Sequence, residues 1–286
     1  MVLFGPAGCA DSFYKMGYKG SLQVPEYIEK IGLDTFEYQC GRGVNIGEEK
    51  ARELGRLAAE KGIVLSLHAP YYISMSGVDE EKRLNSINYI MQSAKAVDFM
   101  GGNRIVVHTG SCGKLSREEA LELAKDTMVK ALEALDNEGL GHVHICPETM
   151  GKINQLGTLE EVIALCELDK RLIPCIDFGH LNARTGGEVN SKDAFREIIE
   201  LIGNRLGEER MKNFHSHFSK IEYTVGGEKK HLTFEDTVFG PDFEPLVEAI
   251  VENSLTPTII SESAGTQSDD ALAMKKYYEE LKREKA

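Results

Sequence analysis

Short apolar, β-branched runs alternate along the chain with longer stretches whose apolar positions recur every three or four residues. Strands are expected at residues 2–4, 35–38, 64–68, 104–108, 143–147, 172–177, 213–218 and 258–262. Runs such as VLSLH, RIVVH and PTIISE are almost continuously apolar, the pattern of strands covered on both faces. Between them, Leu121, Ala124, Met128, Ala131, Leu132 and Leu135 form one stripe of a helix expected over 116–135. Ser116 with Glu119, and Thr158 with Glu161, fit the S/T-x-x-E box that satisfies free backbone donors at a helix start. Repeated βα units around a parallel sheet, without a linker or composition break, predict an α/β fold: a single (β/α)8 TIM barrel spanning residues 1–286.

Composition changes this picture little. The chain is 42% hydrophobic and 28% charged, which excludes a disordered or fibrous protein. Nothing in MVLFGPAG resembles an export signal and no long apolar stretch occurs, so no membrane association is expected. Six scattered cysteines without a C-x-x-C pair read as reduced thiols of a cytoplasmic protein. A net charge of −13 opposes indiscriminate attraction to nucleic acid, so any such binding needs a local basic field.

The strand ends carry the candidate chemistry, because a barrel of this kind builds its site at the C-terminal rim. His68 ends VLSLH, His108 ends RIVVH, Glu148 follows VHICP, Asp177 ends LIPCID, His215 lies in NFHSHFS and Glu262 ends PTIISE. Carboxylates crowded at one rim repel unless a cation is present, and imidazole with carboxylate suits zinc-like ions. More than four such donors points to a cluster. His180, three residues past Asp177, and His231, after the seventh strand, could extend it. His217 shares the face of His215 and is read as a ligand or a substrate contact, whereas His142 and His144 are read as structural. No G-x-S-x-G elbow or P-loop is present, and Cys112 near His108 has no organising partner for nucleophilic work.

The ordered series LHAPYY, VVHTGS, CPET, CIDFGH, FHSHFS, KKH and SES resembles the endonuclease IV family (AP endonuclease family 2) of the xylose isomerase-like barrel superfamily, over essentially the whole chain. That resemblance implies zinc ions at the barrel mouth and hydrolysis of the DNA backbone 5′ to abasic sites, with Mn2+ as another possible ion. It assigns His68, His108 and Glu148 to a first metal, and makes Glu148 a bridge to a second held by Asp177, His215 and Glu262. His180 and His231 would serve a third. Glu148 and Glu262 are the expected catalytic carboxylates, Glu262 orienting the attacking water. Where the family has an aspartate two residues before the last histidine, this chain has Lys229, an ammonium that cannot ligate. The third site then needs Glu228 or Glu222 as its carboxylate.

Damaged duplex DNA is the implied partner, and no protein partner is implied. Tyr71 and Tyr72 match the loop from which the family inserts side chains at the lesion, and Arg42 and Lys229 are the expected phosphate contacts. Lys114, Lys152, Arg184, Lys220 and Lys230 extend that basic rim, interleaved with Glu188, Glu222, Glu228 and Asp236. The rival expectation is a sugar or keto-acid isomerase or epimerase of the same superfamily, with Glu148, Asp177, His215 and Glu262 on one metal. A third is a binder that keeps metal without turnover. Surplus histidines at the rim favour the hydrolase.

Overall fold

The computed structural model describes residues 1–285. Its strands are β1 (Leu3–Pro6), β2 (Thr35–Gln39), β3 (Val64–His68), β4 (Arg104–Val107), β5 (His144–Pro147), β6 (Cys175–Asp177), β7 (His215–Phe218), β8 (Ile221–Thr224), β9 (Gly227–His231) and β10 (Thr258–Ser261). β2, β3, β4 and β5 pair in parallel in that order, as do β1, β10, β7 and β6. Single parallel bridges, Ala7 with Glu37 and Glu148 with Cys175, join the two sets. Eight parallel strands thus close into a ring with helices outside: a TIM barrel. All their C-terminal ends reach the same rim.

Each expected strand is present with shifted ends. The largest shift is at β6, which starts at Cys175 rather than 172, where Pro174 has no N–H to donate; its carbonyl still accepts from His215 N at 3.1 Å. The helix expected from 116 runs Arg117–Asn137, with Ser116 accepting from Glu119 N and donating its own N–H to the Glu119 carboxylate. Thr158 and Glu161 make the same box for Leu159–Cys166. Ala124, Met128, Ala131 and Leu135 are fully buried between helix and barrel, and burying each large side chain contributes about 1.5–3 kcal/mol.

β8 and β9 have no counterpart among the expected elements. They form an antiparallel hairpin beyond β7, turning at Val225 and Gly226, with a register shift at Glu222 and Tyr223. Its strands, IEYT and GEKKH, are too polar and short to show apolar alternation. No helix among the described residues is long and apolar enough to cross a membrane, and all six cysteines are free.

Candidate metal centre

The parallel register delivers donors from neighbouring strands to one mouth. His68 closes β3; its Nδ1 faces the Ala69 carbonyl at 2.8 Å, which turns Nε2 inward to lie 3.4 Å from Glu148 Oε2. His108, just past β4, places Nε2 3.2 Å from the same oxygen. Glu148 itself follows β5 and is buried. Asp177 ends β6 and caps the helix Phe178–Arg184, its Oδ1 accepting from His180 N at 2.7 Å. That cap fixes His180 over the mouth, with Nδ1 3.2 Å from Asp177 Oδ2 and 3.5 Å from Glu148 Oε1. Asp177 Oδ2 remains buried without a hydrogen-bond partner. A buried acceptor in that state normally faces an ion or water.

His215 does not reach this cluster, against expectation. Both histidines of β7 face inward, but His217 lies two residues, about 7 Å, nearer the rim. His217 Nδ1 sits 3.0 Å from Glu148 Oε1 and 3.5 Å from Glu262 Oε2. His215 instead donates through Nε2 to Glu37 Oε2 at 2.9 Å, deep in the barrel. Of the two β7 histidines it is thus His217 that meets Glu148 and Glu262, while His215 groups with His217 and Cys175 lower in the barrel. Donor atoms of Glu148, Asp177, His217 and Glu262 form one compact group, and those of His68, His108 and Glu148 another.

A third group joins His180, Glu228 and His231. Glu228 reaches 3.4 Å from His180 Nε2 and 3.9 Å from His231 Nε2, while Ser219 Oγ holds His231 Nδ1 at 2.8 Å. Glu228 thus supplies the carboxylate that Lys229 cannot. The hairpin fits here because Gly151 has no side chain: a Cβ there would lie 2.6 Å from the Glu228 Cβ and 2.9 Å from His180 Cδ2. Lys229 points outward to Glu222 at 2.5 Å, with Lys230 on the same carboxylate at 3.2 Å. Glu222 is thereby engaged away from the third group.

Electrostatics match a cation site. Burial alone would raise Glu148, yet His217, His108 and His68 hold it well below the usual carboxylate range. Burial likewise opposes ionisation of Glu262, but His217 draws it down to about 2. Burial raises Asp177, and His180 offsets this only in part. Desolvation disfavours a charged His68, yet Glu148, Glu37 and Glu262 push it up to about 9. His180, opposed by burial, is carried to about 9 by Asp177, Glu148 and Glu228. Clustered carboxylates here demand positive charge, which divalent ions can supply in place of protons.

Around the mouth, a cavity of about 210 Å3 is lined by Gln39, Tyr71, Met150, Lys152 and Gln155 together with His68, His108, Glu148, His180, Glu228, His231 and Glu262. Tyr71 is largely exposed on its wall, while Tyr72 turns outward to Tyr89 at a ring separation of 6.0 Å. Arg42 is exposed on the loop after β2, beside the Gly41 carbonyl that accepts from Tyr71 N. The basic rim is thinner than its residue count suggests. Arg184 donates to the carbonyls of Met150, Lys152, Ile153 and Gln155, and Lys220 is paired with Asp242 at 3.0 Å. Lys114 and Lys152 stay exposed. The sequence reading does not single out Glu37 or Gln39 and leaves His217 as a ligand or a substrate contact; a glutamate at an inward position of a barrel strand is the available signal for Glu37.

Residues 25–282 match the family model described as xylose isomerase-like TIM barrel. An uncharacterized protein of Methanocaldococcus jannaschii is 34% identical over 279 residues, covering 98% of each chain. A probable endonuclease 4 of Acholeplasma laidlawii is 31% identical over 181 residues, 60% of each chain. Among solved structures, endonuclease IV from Thermus thermophilus aligns at a TM-score of 0.66 and 20% identity, over 97% of this chain and 99% of that one. A D-tagatose 3-epimerase-like protein aligns at 0.73 and 20%, over the whole of both chains. At such identity these two likenesses speak to the barrel alone.

Proposed function

The chain belongs to the xylose isomerase-like TIM barrel family, and from that premise we propose a metal-dependent phosphodiesterase that cuts duplex DNA 5′ to abasic sites, using zinc, or manganese in its place. The observation that carries this reading is the surplus of donors: among the described residues, four groups at one mouth, two of them sharing Glu148, beside a fifth of Cys175, His215 and His217 lower in the barrel. The residues fit the ions, since Asp177 Oδ2 is an orphaned buried acceptor and the donors are imidazole and carboxylate. His68, His108 and Glu148 would hold the first ion, Glu148, Asp177, His217 and Glu262 the second, and His180, Glu228 and His231 the third. Bound there, the ions supply Lewis acidity and an activated water. Glu262, its side chain 16% exposed at the mouth, is placed to orient a water there and accept its proton. Tyr71 provides an aromatic face for the base-free gap, and Arg42, Lys114 and Lys152 meet phosphates.

The decisive experiment uses a duplex with a single abasic-site analogue. Nicking on its 5′ side, lost with chelator and restored by zinc or manganese, is the expected result. No cleavage, together with metal-dependent interconversion of a ketose or keto acid, would instead favour an epimerase or isomerase. That second reading has one observation behind it: Glu148, Asp177, His217 and Glu262 suffice by themselves for one metal and two proton-shuttling glutamates.

A further inference from the structure

Below the rim, the barrel interior holds a carboxylate that the proposed chemistry leaves unused. Glu37 lies in the middle of β2, fully buried, with its alternate neighbours Thr35 and Gln39 on the same strand face. Taking a carboxylate out of water costs several kcal/mol, so its partners decide whether it can remain. Its Oε2 accepts from Ser66 Oγ at 3.1 Å and from His215 Nε2 at 2.9 Å. Its Oε1 accepts from Gln39 Nε2 at 3.1 Å and lies 3.0 Å from His217 Nε2, an ion-pair contact without a linear N–H···O alignment. Both oxygens are thus fixed by donors on three different strands.

Stability alone gives little reason for this arrangement. Well-packed apolar residues in place of a buried ion pair are often neutral or stabilising. Geometry supplies another reason. His217 lies between carboxylates, Glu37 at 3.0 Å from Nε2 and Glu148 and Glu262 at 3.0 and 3.5 Å from Nδ1, with its hydrogen bond made at Nδ1 to Glu148. With Nε2 turned towards Glu37, the ring presents Nδ1 to the mouth, the atom a ligand there must offer.

We propose that Glu37 is a positioning residue for the second metal group, setting the ring orientation of His217, with Ser66, Gln39 and His215 acting as its brace. This rests on the metal-cluster reading above and extends it to a residue on the floor of the site. Gln39 links floor to mouth, since it both braces Glu37 and lines the cavity.

The test compares wild type with Glu37→Gln and Glu37→Asp, each stripped by chelator and reloaded with Co2+ or Zn2+. Glu37→Gln should weaken one ion by about 10–100-fold in chelator competition. It should also change the visible spectrum of the cobalt protein, while the other ions titrate as in wild type. Glu37→Asp, which keeps the charge but draws it back from His217, should fall between the two. A merely structural Glu37 predicts a lower Tm for the stripped variant with competition curves and spectra that superimpose on wild type, and that result overturns the proposal. If Glu37→Gln does not fold, wild-type metal affinity and spectrum in Glu37→Asp overturn it equally. A wild type that takes up no metal would defeat the cluster reading itself, a separate outcome.

Discussion

The donors around Glu148 and those on the β8–β9 hairpin do the same kind of work from different supports. His68, Asp177 and His217 lie on strands of the closed barrel ladder, and Glu148 directly follows one; all four side chains are almost completely buried. Glu228 and His231 ride on an irregular two-stranded hairpin at the rim, with side chains 14% and 27% exposed. Barrel strands fix a donor to within the pleat, so a shift of two residues moves it out of the site, as His215 and His217 demonstrate. The hairpin pairing is irregular at Glu222 and Tyr223, and it turns Glu228 to His180 and Lys229 to Glu222. That contrast predicts a graded series of effects.

The largest is at Glu148, which serves two groups at once. Glu148→Gln should lose two ions together and lower kcat/KM by at least about 10³-fold. Elemental analysis beside steady-state cleavage reads both, and full metal content in the variant would remove the bridge. Next comes the histidine pair of β7. His217→Asn should lose the second ion. His215→Asn should keep all ions, the second held only somewhat less tightly, and cost stability, about 1–3 kcal/mol for the partner left unsatisfied on Glu37. Equal metal loss in both variants would erase the distinction. On the hairpin, Glu228→Gln should lose the third ion alone, with cleavage reduced by about 10–100-fold, whereas Lys229→Asp should add no ion. Intact metal content in Glu228→Gln would return the third site to Glu222.

Protonation offers a milder probe of the buried side. His68 and His180, raised from 6.5 to about 9, add stability to the metal-free fold that is fully present below pH 6.5 and fades as pH rises through 9. Glu262, drawn from 4.5 to about 2, adds stability present above pH 4.5 and lost as pH falls to 2. Stripped protein should therefore have its highest Tm between about pH 4.5 and 6.5 and decline by pH 9.5, while the loaded protein holds its Tm through that range because ions replace the protons. Thermal scans with and without chelator at pH 6 and 9.5 check this, and parallel curves would contradict it.

The same contrast explains what the sequence could reveal. Eight strands and two capping boxes were readable because period and capping chemistry are local. Six strand-end residues pointed to the mouth because the barrel brings such ends together. His217 was harder to assign, since alternation puts it on the same face as His215 and only the register of β7 against β6 and β10 decides which is at the rim. The hairpin was missed because GEKKH carries no apolar signal, and without it the side of β9 that Lys229 occupies could not be read.

The smallest expected effect belongs to Lys229. Its ammonium is exposed and paired with Glu222, and an exposed ion pair of this kind is worth at most about 1 kcal/mol, so the fold should not notice its loss. A phosphate brought to the rim meets Lys229 and Lys230 against one carboxylate, a local excess of one positive charge on an acidic protein. Lys229→Ala should therefore leave metal content and Tm unchanged and weaken binding to every duplex alike. The slope of log K against log salt should fall by about one, since each neutralised phosphate releases about one counterion. Measuring affinity for intact and abasic duplexes at two salt concentrations separates the outcomes. An unchanged slope would confine Lys229 to its pair with Glu222, and a loss specific to the abasic duplex would place it at the lesion rather than on the flanking backbone.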